Sequence, residues 1–465
     1  MRRCLSIICV GLVSGCAHFE PKPLLPKQVA DALQSRTLTD ARLLSFIKTN
    51  APKTAVSNWP PQSWDLRLLT LAALYYHPDI ETARAKLASA EAAIITAGAR
   101  PNPTFSFSPT YAEPPLEFFS PWTLGFSLDV PIETMGKRGY RIAQARHLAN
   151  SARLDLNETA WKVRSKVRQA LLGLYDANLT ENILTQQQAV QDQSLHLLEQ
   201  QLKAGEVTFL EAQVVRVAAD ETKLQLRDAE KQRGQARIQL ADSLGVPVEA
   251  TTNLNLSFSD FDQLPDVANA IKLRGEGLTN RADILGGLAD YSASQAALQL
   301  EIAKQYPDVH FSPGYTWNEG VNNYSLGVSL TLPLLDRNQG PIAEANAHRR
   351  EAAAAFMALQ ARAMTEIDAA YEAYADARRK LQTAESLLAE QQQRLKAMQK
   401  QFDAGGANKV DLLQTQSEID LTLLAQASPR IEAQQALGLL EDAIRHPIAI
   451  NDPPVELPSA KGKSN

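Results

Sequence analysis

The sequence predicts a mostly α-helical fold of long helical hairpins with a small membrane β part, and three observations carry that prediction. Two hairpin-like segments match each other and alternate apolar with small or polar residues. Long stretches carry apolar residues at three- and four-residue spacing, the seam pattern of helices packed side by side. Both stretches break at an Ala-Gly pair, Ala204-Gly205 and Ala404-Gly405, so the chain is internally duplicated.

The strand pattern is clearest at Tyr324 to Leu332. Tyr324, Leu326, Val328, Leu330 and Leu332 fall on one face, and Ser325, Gly327, Ser329 and Thr331 on the other, because successive side chains alternate. Alone, this fits a half-buried strand of an ordinary sheet or a barrel strand with lipid on one side and a lumen on the other. Leu124, Phe126, Leu128 and Val130 repeat the apolar face, opposite Gly125, Ser127 and Asp129. Each is preceded by an aromatic-rich partner, and the blocks Phe107-Ser-Pro-Thr-Tyr111 and Phe311-Ser-Pro-Gly-Tyr315 correspond. Two matched hairpins, 103–131 and 307–333, favour the barrel.

Composition narrows the field. The 465 residues are 21% charged with a net charge of −5, so no basic field recruits nucleic acid. Beyond the first residues no run of about 18 apolar residues occurs, which rules out a membrane-spanning helix. Residues 1–15 read as an export signal: Arg2 and Arg3, then a short apolar core from Leu5 to Val13. Leu12-Val-Ser-Gly-Cys16 resembles the bacterial lipobox, in which the cysteine becomes lipidated (palmitate-bearing) after cleavage. Ala17 in place of aspartate resembles lipoproteins sent on to the outer membrane. Cys4 and Cys9 lie in the signal, so the mature chain keeps only Cys16 and no internal disulfide.

In chain order, residues 16–62 read as a mostly extended arm with one short helix near Val29 to Thr49. The first repeat spans 63–247. Leu68, Leu71, Leu74, Ile80, Ala83, Leu87, Ala90 and Ile94 mark a helix that Pro78 kinks or divides, and Pro101-Asn-Pro103 ends it before the hairpin. After Pro131 no proline occurs until Pro247. A stripe of Ala149, Ala152, Leu156, Ala160, Val163, Val167, Ala170, Leu174 and Ala177 predicts a helix to about Leu202, roughly 90 Å long. A return helix follows from about Thr208 to Leu244. Residues 248–280 read as a linker with a short strand at Asn253 to Ser259. The second repeat, 281–446, predicts a helix from Arg281 to Gln305, the second hairpin, a long helix from Ile342 and a return helix from Asn408 to Ile444 bent near Pro429. Its stripe includes Ala352, Phe356, Leu359, Ala363, Ile367, Ala370, Tyr374 and Leu381. Residues 447–465 read as a disordered tail.

Four strands cannot close a barrel, and an open sheet edge is prohibitive in lipid. The chain must therefore share its sheet with identical copies; two give eight strands and three give twelve, and the pattern does not choose.

The repeat, the hairpins and the Ala-Gly turns resemble TolC-type outer-membrane efflux channels over Trp64 to Pro447. Val130-Pro-Ile-Glu-Thr-Met-Gly-Lys-Arg138 and Leu332-Pro-Leu-Leu-Asp-Arg-Asn-Gln-Gly340 resemble the cobalt–zinc–cadmium (CzcC-like) heavy-metal branch. The resemblance implies a homotrimer with a twelve-stranded outer-membrane β-barrel and a periplasmic α-helical tunnel. It also implies a periplasmic membrane-fusion adaptor, an inner-membrane resistance–nodulation–division (RND) pump, no cofactor and no enzymatic activity. It places adaptor docking at residues 203–211 and 403–414, around Gly205, Glu206, Val207, Thr208, Gly405, Gly406, Asn408 and Lys409. Family channels carry an Asp-x-x-Asp acidic gate after the second turn; Asp411 matches the first acid, whereas Gln414 stands at the second.

Ser127, Asp129 and Ser329 are candidate barrel-lumen residues, Asp129 being the one charge on that face. Arg337 and Asn338 read as fixing a strand-to-helix corner. Seven histidines form no metal-binding spacing, and His77 and His310 read as structural. Two alternatives stand: a channel of this fold for drug efflux or type I protein secretion, and a periplasmic helical scaffold lipoprotein.

Overall fold

A computed structural model describes residues 18–50, 58–113, 120–267 and 269–448. The signal segment, Cys16, the tip of the first hairpin and the tail beyond residue 448 lie outside the described residues. Within them the element order is α1 (Pro26–Gln34), α2 (Ala41–Asn50), α3 (Leu66–Tyr76), α4 (Pro78–Ala97), β1 (Thr104–Tyr111), β2 (Trp122–Ile132), α5 (Lys137–Ala204) and α6 (Phe209–Leu244). The second half continues as α7 (Ala270–Asn280), α8 (Ala282–Ala303), β3 (Val309–Asn318), β4 (Val321–Leu330), α9 (Gln339–Asp403) and α10 (Lys409–Ile444).

The long helices are as the apolar period requires. α5 has 68 residues and α9 has 65, each about 100 Å at 1.5 Å per residue. On α5 the predicted stripe, Ala149 through Ala177, is buried apart from the half-buried Ala152. A second row, with Arg164, Arg168, Leu171 and Leu172, is buried as well. Two buried rows make α5 the spine of the protomer: α3, α4, α6, α8 and α10 all pack on it. α9 is its repeat mate but buries only Ala363, Ile367, Ala370, Tyr374 and Leu381.

Breaks follow local chemistry. Pro78 divides the first predicted helix: His77 is extended (ψ 128°) and caps α4, its Nδ1 accepting from the Asp79 amide at 3.2 Å. Burial pushes the His77 imidazole below its usual range, so it is a neutral structural cap. Pro429 is accommodated inside α10, which stays one helix.

The arm departs from expectation. It forms two helices rather than one within an extended chain, and Leu38, Leu43 and Ile47 pack into the main core against α3. Arg36 explains part of this docking, donating 2.8 Å hydrogen bonds to the carbonyls of Tyr76 and Gly245. The segment read as a linker carries α7. The strand predicted at Asn253 to Ser259 is reduced to one parallel bridge between Trp64 and Leu256, with Trp64 bonded to Asn255 and Ser257, because among the described residues no neighbouring strand extends it.

The four strands form one antiparallel sheet in the order β1-β2-β3-β4. The two hairpins are therefore joined through β2 and β3, leaving β1 and β4 as edges.

Leu171 is fully buried on α5. Leu171→Ala should lower stability by about 2–5 kcal/mol through lost transfer energy and a cavity; thermal unfolding followed by circular dichroism checks this, and an unchanged midpoint would contradict α5 as the packed spine.

Candidate functional site

Three regions of the molecule hold the residues singled out from sequence. The first is the sheet. Its register aligns Phe107, Phe126, Tyr315 and Tyr324 across all four strands, with ring centroids 4.9, 6.2 and 5.4 Å apart in succession. Flanking rows add Phe105 with Leu128, and Val130 with Phe311 and Val328. This face has no cover among the described residues; Tyr324 is 82% exposed and Leu326 66%. β2, β3 and β4 have 10 or 11 residues and β1 has eight, against the about 9–11 that a tilted strand needs to cross a bilayer.

The opposite face is small and polar. Ser127 lies between Ser106 and Gly314, and Ser329 lies opposite His310. Asp129 lies opposite Thr104 and accepts from Ser312 Oγ at 2.8 Å. Its other oxygen meets His310 Nδ1 at 2.9 Å. Asp129 thus meets an ionisable partner on that face that the alternation within one strand did not show. His310 shares the face, because the β2–β3 pairing brings two different hairpins together.

The second region joins strands to helices, and it accounts for the two post-hairpin motifs. Gly136 takes a left-handed backbone (φ 73°), a conformation glycine adopts at little cost. Lys137, 7% exposed, then points back and donates 2.7 Å bonds to Asp308 and to the Tyr306 carbonyl. Thr134 bonds Asp308 and the Pro307 carbonyl. Arg141 clamps Glu133 through both carboxylate oxygens, and that hydrogen bonding holds the Glu133 carboxyl below its ordinary range. At the second corner Asn338 is left-handed (φ 61°), and its Nδ2 donates to the Glu301 carbonyl and carboxylate at 2.8 and 2.9 Å.

The third region is the pair of Ala-Gly turns, which superimpose in chemistry at an offset of 200 positions. Gly205 and Gly405 have φ of 77° and 76°. The amides of Glu206 and Gly406 bond the carbonyls of Gln201 and Gln401, each at 2.9 Å, the Schellman closure. Thr208 and Asn408 then start the return helices with capping boxes to Glu211 and Asp411. Asp411 is thereby engaged with the amide of Asn408. At the matching position Glu211 is held below its usual range by its bonds to Thr208. Lys409 lies 5.4 Å from the Phe402 ring centroid. Packing of α5 on α10 sets the two turns side by side, so that Glu206, Val207, Asn408, Leu413 and Gln414 line one groove with Gln191, while Gly205, Thr208, Gly405, Gly406, Lys409 and Asp411 lie off it.

Sequence reasoning missed a buried polar network between the repeats. Arg164 and Arg168 pair with Glu441, and Trp161 and Ser165 bond Asp442. Burial pushes the Asp442 carboxyl up. The 161, 164, 165, 168 spacing on one helix face was its available signal. Among the described residues no group of three or more His, Cys, Asp or Glu side chains could hold a metal ion, and no helix is long and apolar enough to cross a membrane.

Comparison with known proteins agrees with this geometry. The family model "Outer membrane efflux protein" matches residues 70–246 and 273–444. The cobalt-zinc-cadmium resistance protein CzcC of Cupriavidus metallidurans is 25% identical over 73% of this chain and 79% of its own. The pyoverdine export outer membrane protein OpmQ of Pseudomonas aeruginosa is 26% identical over 80% and 83%. Among solved structures, the outer-membrane channel OprN superimposes with a TM-score of 0.65 at 18% identity, over 92% of this chain and 98% of its own. VceC of Vibrio cholerae gives 0.65 at 18%, over 82% and 95%, and CusC 0.65 at 16%, over 82% and 91%. With two helical repeats carrying a shared four-stranded sheet, and a family match over both, the chain belongs to the outer membrane efflux protein family, TolC-type channels of the bacterial outer membrane rather than enzymes.

Proposed function

We propose that this chain is the outer-membrane component of a tripartite efflux system, a passive homotrimeric conduit that carries heavy-metal cations outward. The carrying observation is the sheet: one face is apolar and uncovered, and the edges β1 and β4 have no partner among the described residues. In lipid every backbone donor and acceptor needs a partner, so β1 of one copy pairs with β4 of the next. Three copies make twelve strands, with Ser127, Asp129 and Ser329 facing the lumen. Long α5 and α9 continue below as a tunnel in which neighbours cover the exposed apolar residues of α6 and α9, among them Val214, Leu224, Met357 and Leu387.

In this reading the turns at Gly205 and Gly405 form the inner mouth. The periplasmic adaptor docks on the groove between them, and the RND pump supplies substrate from the inner membrane. Asp411, repeated three times, contributes negative potential there, besides its capping bond. Cys16 carries the lipid that anchors the arm in the outer membrane. The heavy-metal assignment draws support from the cobalt-zinc-cadmium resistance relative and the two corner motifs. A second reading, export of an organic molecule, draws support from the pyoverdine export relative. Deleting the gene and scoring growth in zinc, cobalt, cadmium, copper and a drug panel separates them: hypersensitivity to metals alone supports the first, and to organic compounds alone the second.

Phe126→Arg or Val328→Arg should abolish outer-membrane insertion, since arginine on a lipid face costs about 2–4 kcal/mol per copy at the midplane. Outer-membrane fractionation and trimer mobility in unheated gels check this; normal assembly of both variants would reverse the facing. Gly405→Val forces a β-branched residue to positive φ, a strain of about 1–3 kcal/mol confined to the turn, where the added Cβ meets nothing within 4 Å. Trimers should survive while crosslinking to the adaptor drops; undiminished crosslinking would remove the turn from the docking surface.

A further inference from the structure

The polar face of the sheet holds a side-chain pairing that links its two hairpins. His310 and Asp129 come from different hairpins, 181 positions apart in sequence, and their Nδ1 and Oδ2 atoms lie 2.9 Å apart. Ser312 donates to the other carboxylate oxygen at 2.8 Å, so the carboxylate is fixed from two sides. A carboxylate only accepts, so Nδ1 carries a proton, and Nε2 is the ring nitrogen left to offer a lone pair to an ion. Nε2 has no hydrogen bond among the described residues, and the His310 side chain is 40% exposed. Asp308, just ahead of β3, is engaged by Lys137 and the Thr134 amide at the neighbouring corner.

A histidine whose other ring nitrogen is bonded to a carboxylate is the standard form of an imidazole metal ligand, because the carboxylate sets the tautomer and raises basicity. One imidazole cannot make a cage, and none is present. A conduit needs the opposite of a cage: ligation strong enough to attract an ion and weak enough to release it. We infer that His310, oriented by Asp129, is a transit ligand for divalent transition-metal cations of the zinc type, one per protomer, at the sheet end that joins the helices. Imidazole suits such ions, whereas magnesium prefers carboxylate and water oxygens. The inference rests on the channel reading, with this face toward the lumen, and it adds a contribution of the conduit itself to the choice of cargo.

The test is single-channel recording of the full-length protein in planar lipid bilayers. Each variant's current is scored with added zinc relative to its own zinc-free current, with magnesium as control. Zinc should reduce the wild-type current and magnesium should not. His310→Ala should remove the zinc effect, and Asp129→Asn should raise the half-blocking zinc concentration about tenfold, as loss of an outer-shell carboxylate does. If His310→Ala fails to insert, His310→Asn keeps a donor toward Asp129 without an imidazole and should also lose the block. Zinc block that persists unchanged in the histidine variants, or no block in wild type, overturns the ligand and leaves the channel standing. Failure of the wild-type protein to form any pore overturns the channel reading and the ligand with it.

Discussion

Unpaired backbone at a sheet edge is the constraint on which the rest of this molecule depends. Four strands give a sheet with two open edges, and its outward face is too apolar for water. An edge strand in water invites pairing with any other strand, and in lipid it leaves donors and acceptors that no solvent can satisfy. Only a closed ring of strands answers both problems. One protomer is too short to make that ring, so its shape is that of a wall segment.

The helical part is built to the same logic. α5, buried along two rows, organises each protomer, and its repeat mate α9 is left largely open. The duplication is therefore symmetric in sequence and asymmetric in burial: one long helix holds the protomer together, and the other offers a flank for a neighbour. The Arg164–Arg168–Glu441 cluster lies where the repeats meet. Buried charges of this kind add little net stability when paired but strongly penalise any register that separates them. They set the alignment of α5 against α10, and through it the side-by-side placement of the two turns.

Between sheet and helices, the corners transmit position. Lys137 ties the start of α5 to Asp308 and the Tyr306 carbonyl ahead of β3, and Asn338 ties the start of α9 to the end of α8. Each corner turns through left-handed backbone, Met135 and Gly136 in one and Asn338 in the other, and carries a side chain that satisfies carbonyls freed where a strand or helix ends. The two sequence motifs are thus hydrogen-bonding joints, and any role in choosing cargo acts through the geometry they hold.

How much of this was legible beforehand follows from the range of the forces. Strand faces, helix lengths, the Ala-Gly turns and the duplication were visible because they depend on alternation, on 3.6-residue periodicity and on the backbone freedom of glycine at Gly205 and Gly405, all properties of neighbouring residues. The same local chemistry marked Pro78 as a break and Asn338 as a corner. The docking of the arm through Leu38, Leu43 and Ile47, the helix Ala270–Asn280, the Arg–Glu network and the Asp129–His310 pair were not, because each depends on partners far away in the chain. Periodicity says which face of an element is buried; only tertiary packing, by choosing the partner element and its register, decides which polar groups meet there.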